Sequence, residues 1–167
     1  MWKTILYAHD FSDCAAGVER TVIDLAIALR AEVVVCHVTE LGNGLSAETL
    51  ITPPGETRPV MLGEYTLQSA RRRLDAIALR LRSCDVACRT AALLGPIPTG
   101  ILRAAEEQSA SLIVMGTHGR TGLDHLLLGS VAEKVLRQAR VPVLTLRVPA
   151  SPAHLAEDDV LADERDG

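Results

Sequence analysis

The stretch from Ser111 to Val131 restricts the fold of this chain more than any other, because it joins a strand to a helix through spaced glycines. The run LIVM, residues 112–115, is short and apolar, as expected for a fully buried strand. Glycines then follow with the spacing G-x2-G-x9-G-S, and a helical pattern begins at Val131. Glycines let a ligand approach the backbone closely, and a helix N-terminus attracts phosphate. The stretch therefore predicts a phosphate-binding loop, and an ordinary turn is the alternative.

This loop matches neither of the two common nucleotide-binding fingerprints. A P-loop ends in Gly-Lys-Ser/Thr, and a dinucleotide-binding loop has G-x-G-x-x-G directly after its strand. The sequence that follows Met115 is GTHGRTGLDHLLLGSV, which contains neither pattern. The extended glycine spacing is therefore the informative feature.

Two segments of the chain resemble one known family. The segment GTHGRTGLDHLLLGSVAEKVLRQARVPVLTLR is similar to the nucleotide-binding C-terminal half of universal stress proteins, and ILYAHDFSD resembles that family's first strand and its aspartate. The resemblance covers about residues 3–148, with a weaker match in the middle. In this family the spacing G-x2-G-x9-G-[ST] marks the members that bind ATP. The resemblance implies an adenine nucleotide alpha hydrolase-like fold, which is an α/β, doubly wound, five-stranded parallel sheet of order 3-2-1-4-5 with helices on both faces.

Hydrophobic periodicity independently favours an α/β class. Short apolar runs alternate with segments whose apolar residues recur at helical spacing, which is typical of βαβ units and a parallel sheet. Residues 39–62 are rich in glycine and proline and are predicted to form a mobile connection over the sheet edge. The predicted strands are residues 3–8, 33–38, 86–93, 112–115 and 143–148, and the predicted helices are residues 13–30, 67–81, 96–108 and 129–138.

Charge and composition limit the class of protein. We expect one nucleotide-binding domain, residues 1–148, and a tail, residues 149–167, with six acidic residues and one arginine. Disorder is the leading interpretation of the tail, and a short partner-binding motif is the alternative. The chain has no basic stripe of a nucleic-acid-binding protein and no apolar segment that approaches a membrane span. Four cysteines without C-x-x-C spacing, and no signal peptide, favour a cytoplasmic location.

Two strand ends are predicted to form the ligand site, because ligands of doubly wound sheets bind at the carboxyl ends of strands where the strand order reverses. Asp10 follows the first strand and Gly116 ends the fourth, and the resemblance implies that these strands are neighbours. Asp10 is an acceptor-only carboxylate, so it suits ribose hydroxyls or the adenine amino group and would repel a triphosphate. A turn or helix-capping aspartate is the alternative.

The other candidate site residues divide by chemistry. Val38 and Met115 are candidates for the apolar walls around adenine, although the residues alone do not distinguish this role from that of plain core positions. For Arg120, an exposed loop arginine is the alternative. ATP is the implied cofactor, with Mg²⁺ on its phosphates, but no protein ligand set for the cation can be recognised. Contacts with the phosphates are predicted for Gly116, Gly119, Arg120, Gly129, Ser130 and Val131.

The sequence predicts no catalytic residue and no metal ligand. None of its His and Cys pairs has the spacing of a zinc site, and it has no evident Cys-His or Ser-His couple. Two positions depart from the family pattern. His9 stands where a small or β-branched residue is usual, which affects the shape near the adenine, and Ser111 stands where an aspartate is common, which should affect only a turn.

The resemblance to universal stress proteins implies an ATP-binding regulatory module of the stress response. One alternative is a slow ATPase or phosphotransferase that uses the same cleft, since catalysis needs charge-neutralising groups and the loop has no lysine like that of a P-loop. Another is a module that binds a regulatory protein partner through its loops or tail. The resemblance also implies a homodimer through residues 143–148, an apolar edge strand that needs cover or pairing.

Overall fold

The computed structural model describes residues 2–12, 15–117 and 128–147, and it describes the side chains of all of these except residues 15 and 16. Helices and strands alternate along most of the chain. In chain order the elements are β1 (Thr4–Ala8), α1 (Ala15–Leu29), β2 (Glu32–Thr39), β3 (Leu50–Ile51), β4 (Val60–Met61), α2 (Leu62–Arg82), β5 (Cys88–Leu94), α3 (Ile97–Glu107), β6 (Leu112–Gly116), α4 (Ser130–Gln138) and β7 (Val143–Leu146).

Five parallel strands form the large sheet, in the order β5-β2-β1-β6-β7. Counted along the chain within this sheet, they are its third, second, first, fourth and fifth strands. The predicted order and the doubly wound α/β class are therefore confirmed. The strand bounds also lie within two residues of the predicted ones, apart from the end of the last strand at residue 148, which lies outside the described residues.

Helices cover both faces of the sheet, because successive side chains of a strand point to opposite faces and both sets are apolar here. Tyr7, Val33 and Val35 lie in the cluster that α1 and α2 cover. Leu6 and Cys36 lie in the cluster that α3 and α4 cover. The core is largely aliphatic, as the aromatic content of 2% requires.

The connection between β2 and α2 has more structure than its glycine and proline content indicated. β3 and β4 pair as an antiparallel ribbon with the register Leu50↔Met61 and Ile51↔Val60. The Gly63 N–H donates to the Ala47 carbonyl oxygen at 2.9 Å, which docks the connection on the first turn of α2. The two-stranded ribbon was not predicted from the sequence, and the mobility of the connection stays a prediction. Strands of two residues are too short to leave a recognisable alternation in the sequence.

Three helices end in a left-handed residue that is not glycine. Arg30, Asp85 and Ser109 follow α1, α2 and α3 with φ angles of 52°, 60° and 50°. The next amide after each of them donates to the carbonyl five residues earlier, at 3.0, 3.2 and 2.8 Å. This pattern satisfies carbonyl groups that would otherwise lack partners at a helix end.

Candidate functional site

The carboxyl ends of β1 and β6 lie side by side in the centre of the large sheet. β1 pairs with β6 as far as Ala8↔Met115 and with β2 as far as Ala8↔Cys36. The chain leaves β1 through α1 toward β2, whereas β6 lies on the other side of β1, so the strand order reverses between β1 and β6. The structure thus brings Asp10 and Gly116 to neighbouring strand ends at the switch point, where such sheets bind ligands.

The start of α4 is held against the end of β6. The Thr117 N–H donates to the Leu146 carbonyl oxygen at 2.9 Å, and the Gly129 N–H donates to the Thr117 carbonyl oxygen at 2.9 Å. Gly129 is the N-cap of α4, and no side chain caps this helix end. The first N–H groups of a helix have no partner within it, so the backbone at Ser130 and Val131 suits an anion. Ser130 is exposed.

Two predicted phosphate contacts lie outside the described residues. These are Gly119 and Arg120, which belong to the stretch from 118 to 127. The structure therefore brings together the first and last parts of the predicted loop, Gly116 and Gly129–Val131, and leaves the roles of the middle part as predictions.

Asp10 closes a turn in the loop that follows β1. Its Oδ1 accepts hydrogen bonds from the Ser12 N–H at 3.0 Å and from the Ser12 hydroxyl at 2.7 Å. The alternative of a turn aspartate is therefore realised in the structure. Because a carboxylate offers about four acceptor positions, these two bonds leave capacity for a ribose hydroxyl or an amino group. The turn role and the binding role are compatible.

Val38 and Met115 lie in the core cluster under α3 and α4, and each is 5% exposed. This burial is what plain core residues show, so their contact with adenine stays a prediction. β2 pairs with β5 as far as Thr39↔Leu94, although its pairing with β1 ends at Cys36. The last residues of β2 therefore extend past the last residue of β1 that pairs with it.

His9 is buried at 9% exposure and is neutral. Its Nδ1 accepts the Phe11 N–H at 2.8 Å, so this nitrogen carries no proton. Burial lowers the pKa of His9 to about 4, and the nearby carboxylates of Asp10 and Glu19 only partly oppose this shift. The ring lies 5.2 Å from the Tyr7 ring, which belongs to the cluster under α1 and α2. The departure from the family pattern at His9 therefore lies on the other face of the sheet from Val38 and Met115.

A stack of side chains that was not predicted from the sequence lies beside Asp10. The Phe11 ring lies 4.0 Å from the His37 ring between centroids, and the Arg73 guanidinium carbon lies 3.9 Å from the Phe11 centroid. His37 Nδ1 lies 2.7 Å from the His9 carbonyl oxygen, and since a carbonyl only accepts, this nitrogen is the donor. Phe11 is the only phenylalanine in the chain, and its place directly after Asp10 was the available signal.

Ser111 has a larger role than the predicted effect on a turn, so that expectation is wrong. Its Oγ accepts the Lys3 and Thr4 N–H groups at 3.1 and 3.2 Å and donates to the Thr4 carbonyl oxygen at 2.9 Å. A hydroxyl offers one donor and two acceptor positions, and Ser111 uses all three. It therefore ties the start of β1 to the start of β6.

Two of the described thiols, Cys36 and Cys88, are buried and unsuited to catalysis. Burial raises the pKa of Cys36 to about 12, and burial also raises the pKa of Cys88. Within residues 2–12, 15–117 and 128–147, no three His, Cys, Asp or Glu side chains are grouped as metal ligands. Across the same ranges, none of the helices has the length and apolarity needed to span a bilayer. Cys14, His118 and His125 lie outside these ranges.

Fold and site together define a doubly wound α/β domain with a candidate anion site at its switch point. The Universal stress protein family model matches residues 1–147, so the chain belongs to this family. It is 31% identical over 149 residues to Universal stress protein MJ0531 of Methanocaldococcus jannaschii, which covers 89% of this chain and 84% of that protein. The structure of protein MJ0577 from the same organism matches with a TM-score of 0.73 and 30% identity, over 90% of this chain and 99% of that one.

Two solved structures of the family hold adenine nucleotides. One is a universal stress protein in complex with cAMP, at 19% identity and a TM-score of 0.59, over 86% of this chain and 95% of that one. The other is the universal stress protein from Archaeoglobus fulgidus in complex with dAMP, at 22% identity and a TM-score of 0.57, over 87% of this chain and 97% of that one. This chain therefore belongs to a family with members that bind adenine nucleotides, and at these identities the two likenesses show its fold alone.

Proposed function

We propose that the protein binds ATP at the carboxyl ends of β1 and β6 and acts as a regulatory module of the stress response. Asp10 receives the nucleoside end through its remaining acceptor positions. Val38 and Met115 are assigned, from the sequence and the resemblance, to the apolar walls around the adenine. Gly116 and the N-terminus of α4, at Gly129, Ser130 and Val131, receive the phosphates, and Gly119 and Arg120 are assigned to the same role from the sequence alone.

One observation carries this proposal. The hydrogen bond from the Gly129 N–H to the Thr117 carbonyl oxygen, at 2.9 Å, holds a helix N-terminus next to the end of β6. The neighbouring strand β1 ends beside it and leads directly to a carboxylate, Asp10. A donor-rich helix end and an acceptor-only side chain at adjacent strand ends match a ligand with phosphate at one end and hydroxyl or amino groups at the other.

Two observations support an adenine nucleotide as the ligand, and the second favours ATP in particular. The cAMP and dAMP complexes of two family members show that this fold accommodates adenine nucleotides in those proteins. The spacing G-x2-G-x9-G-S is present in full, and it marks the ATP-binding members of the family. Mg²⁺ would enter with the phosphates, whose oxygens it prefers, and we assign it no ligand from this chain.

A regulatory role is favoured over an enzymatic one. Phosphoryl transfer needs a positioned base as well as cations around the transferred group, and the loop between Gly116 and Gly129 has no lysine like that of a P-loop. We therefore expect ATP hydrolysis to be slow, and a turnover assay distinguishes the two roles. We also propose a cytoplasmic location. The division into a domain of residues 1–148 and an acidic tail of residues 149–167 stays a prediction, because the tail lies outside the described residues.

We further propose a homodimer through β7. This strand is at one edge of the sheet, and β6 pairs with it on one side only. At the opposite edge one carbonyl is occupied, since the Arg82 guanidinium donates to the Cys88 carbonyl oxygen of β5 at 3.1 and 2.6 Å. An unprotected apolar edge strand favours pairing with another chain. The same strand from a second copy would satisfy the outer N–H and C=O groups of β7.

Replacement of Ser130 with alanine tests the phosphate site. The variant loses one hydroxyl donor to a charged group, which is worth roughly 1.5–3 kcal/mol, so ATP affinity should fall about ten- to a hundredfold. AMP lacks the outer phosphates and should be affected much less. Titration calorimetry with both nucleotides measures the difference.

The matched control is Ser83→Ala. Ser83 is also exposed, and its hydroxyl donates to the Arg80 carbonyl oxygen at the C-terminal end of α2, away from the proposed site. ATP affinity should therefore not change in this variant. Asp10→Ala should weaken ATP and AMP alike, because Asp10 is assigned to the nucleoside end. If Ser130→Ala weakened both nucleotides equally in a folded protein, the assignment of the phosphates to the start of α4 would be wrong.

A further inference from the structure

The loop that carries Asp10 holds a residue in an unfavourable backbone conformation. Phe11 has a φ angle of 62°, in the left-handed region that a non-glycine residue adopts only when its surroundings favour it. Its N–H donates to His9 Nδ1 at 2.8 Å, and the next N–H, of Ser12, donates to Asp10 Oδ1 at 3.0 Å. The orientation of the Asp10 carboxylate therefore depends on this conformation of Phe11.

Side chains from two other elements stabilise that conformation. The Arg73 guanidinium lies 3.9 Å from the centre of the Phe11 ring, and its Nη2 lies 3.5 Å from the Phe11 carbonyl oxygen. The His37 ring lies 4.0 Å from the same centre with an interplanar angle of 34°. Two groups this near to one ring centre cannot share a face, so Arg73 and His37 cover opposite faces. The covered ring is therefore a support and not a platform for a nucleotide base.

Arg73 reaches this stack from α2, although it belongs to neither strand end of the site. It is exposed, like its neighbours Arg71 and Arg72, and the three read in sequence as a solvated basic face. A guanidinium over an aromatic ring is attracted by the ring quadrupole, and its contact with the carbonyl also favours this loop conformation. Arg73 thus contacts the residue whose conformation orients Asp10.

We propose that Arg73 and Phe11 are positioning residues, which hold the Asp10 carboxylate in the orientation that receives the nucleoside end of the nucleotide. The inference rests on the proposed nucleotide site and adds residues of α2 and of the loop after β1 to it. Neither residue contacts the ligand. Arg73 acts on the loop, the loop orients Asp10, and Asp10 binds.

The first experiment measures the loop without any ligand. Amide hydrogen exchange at Phe11 and Ser12 is followed by NMR in the wild type, Arg73→Ala, Arg73→Lys and Arg72→Ala. Loss of the guanidinium should accelerate exchange at both amides about three- to fivefold, because a cation–π contact at an exposed site is weak. Lysine keeps a cation over the ring and should restore about half of the protection. Arg72→Ala, which removes the neighbouring exposed arginine of α2, should resemble the wild type.

The second experiment separates positioning from general damage. In Arg73→Ala the affinities for ATP and AMP should fall alike, about three- to fivefold, which corresponds to about 0.7–1 kcal/mol. Affinity for inorganic triphosphate should not change, because it is bound at the start of α4. An equal loss with triphosphate, or the same loss in Arg72→Ala, would overturn the proposal.

The two experiments distinguish this inference from the proposed function. If the wild type bound no ATP while Arg73→Ala still accelerated exchange at Phe11 and Ser12, the proposed nucleotide site would be refuted. The conclusion that Arg73 stabilises the loop after β1 would remain valid. If ATP bound as proposed but exchange and affinity were unchanged in Arg73→Ala, the assignment of Arg73 and Phe11 would be refuted.

Discussion

Helix α3 lies close to the sheet at Gly100, and this approach gives a sharp prediction. A Cβ atom at Gly100 would lie 2.6 Å from Val38 Cγ1, 2.9 Å from Val38 Cγ2 and 3.3 Å from Val38 Cβ. Valine is stiff at χ1, and Val38 is 5% exposed, so it cannot rotate away easily. Replacement of Gly100 with alanine must therefore strain Val38 or move α3 outward.

The expected magnitude is a balance of two terms. Overpacking of a core costs about 1–3 kcal/mol, whereas alanine is favoured over glycine inside a helix by about 1 kcal/mol. Gly100→Ala should therefore lower the free energy of unfolding by about 1 kcal/mol. In a Val38→Ala background both Cγ atoms are absent, and the same change should instead raise the free energy of unfolding by about 1 kcal/mol.

Urea unfolding of the wild type, both single variants and the double variant measures this change of sign. The coupling between the two positions should be about 2 kcal/mol, which is within the range for residues in contact. The dependence of the unfolding free energy on urea should stay constant, so that the midpoints report stability alone. If Gly100→Ala stabilised the wild type as much as the Val38→Ala background, α3 would not lie as close to β2 as described.

Two further predictions concern the pH dependence and the sheet edge. Burial lowers the pKa of His9 to about 4, so the unfolded chain takes up a proton that the native state excludes, and stability should fall as the pH drops from about 6.5 to about 4. The loss should reach at most about 3 kcal/mol relative to His9→Asn, and equal pH slopes in the two proteins by urea unfolding would contradict it. At the sheet edge, the Pro142 carbonyl oxygen accepts from the Ile113 N–H of β6, and the Leu146 carbonyl oxygen accepts from the Thr117 N–H just after β6. Because inward and outward backbone groups alternate along a strand, the N–H of Thr145 points outward. Thr145→Pro removes this N–H and should give a monomer by light scattering, whereas the control Thr145→Val keeps it and should give a dimer. A wild type that stays monomeric at high concentration would refute the dimer.

The features that could be predicted from the sequence are those set by residues close together in the chain. The apolar runs of β2 and β6 and the glycines around the start of α4 predicted both the class of fold and the position of the candidate site. The strand order followed from the family resemblance, because no local pattern states which strands are neighbours. The location of Asp10 at the end of the first strand was predicted from the sequence. Its alternative role in a turn was also predicted, because that role needs only a partner two residues away.

The features that the sequence did not predict depend on contacts between distant residues or on an unusual backbone. The contact of Arg73 with Phe11 joins residues 62 positions apart in the chain. From the sequence alone, the basic triplet that contains Arg73 therefore predicted only a solvated helix face. Helix ends at Arg30 and Ser109 lack the glycine that normally marks a left-handed position, because tertiary contacts can offset its cost. The ribbon of β3 and β4 is too short for a periodic pattern.

The bond between Ser111 and the start of β1 has a consequence for synthesis of the protein. β1 is the middle strand, and one of its neighbours, β6, is anchored to it by a side chain 107 residues later in the chain. At about 5–20 residues per second, a ribosome needs roughly 5–20 s to make the intervening chain. For that time the central strand has one open, apolar edge, and half of the candidate site does not yet exist. The proposed nucleotide site can therefore not stabilise a nascent chain until residues up to Val131 have been made, and a chaperone has that interval in which to act.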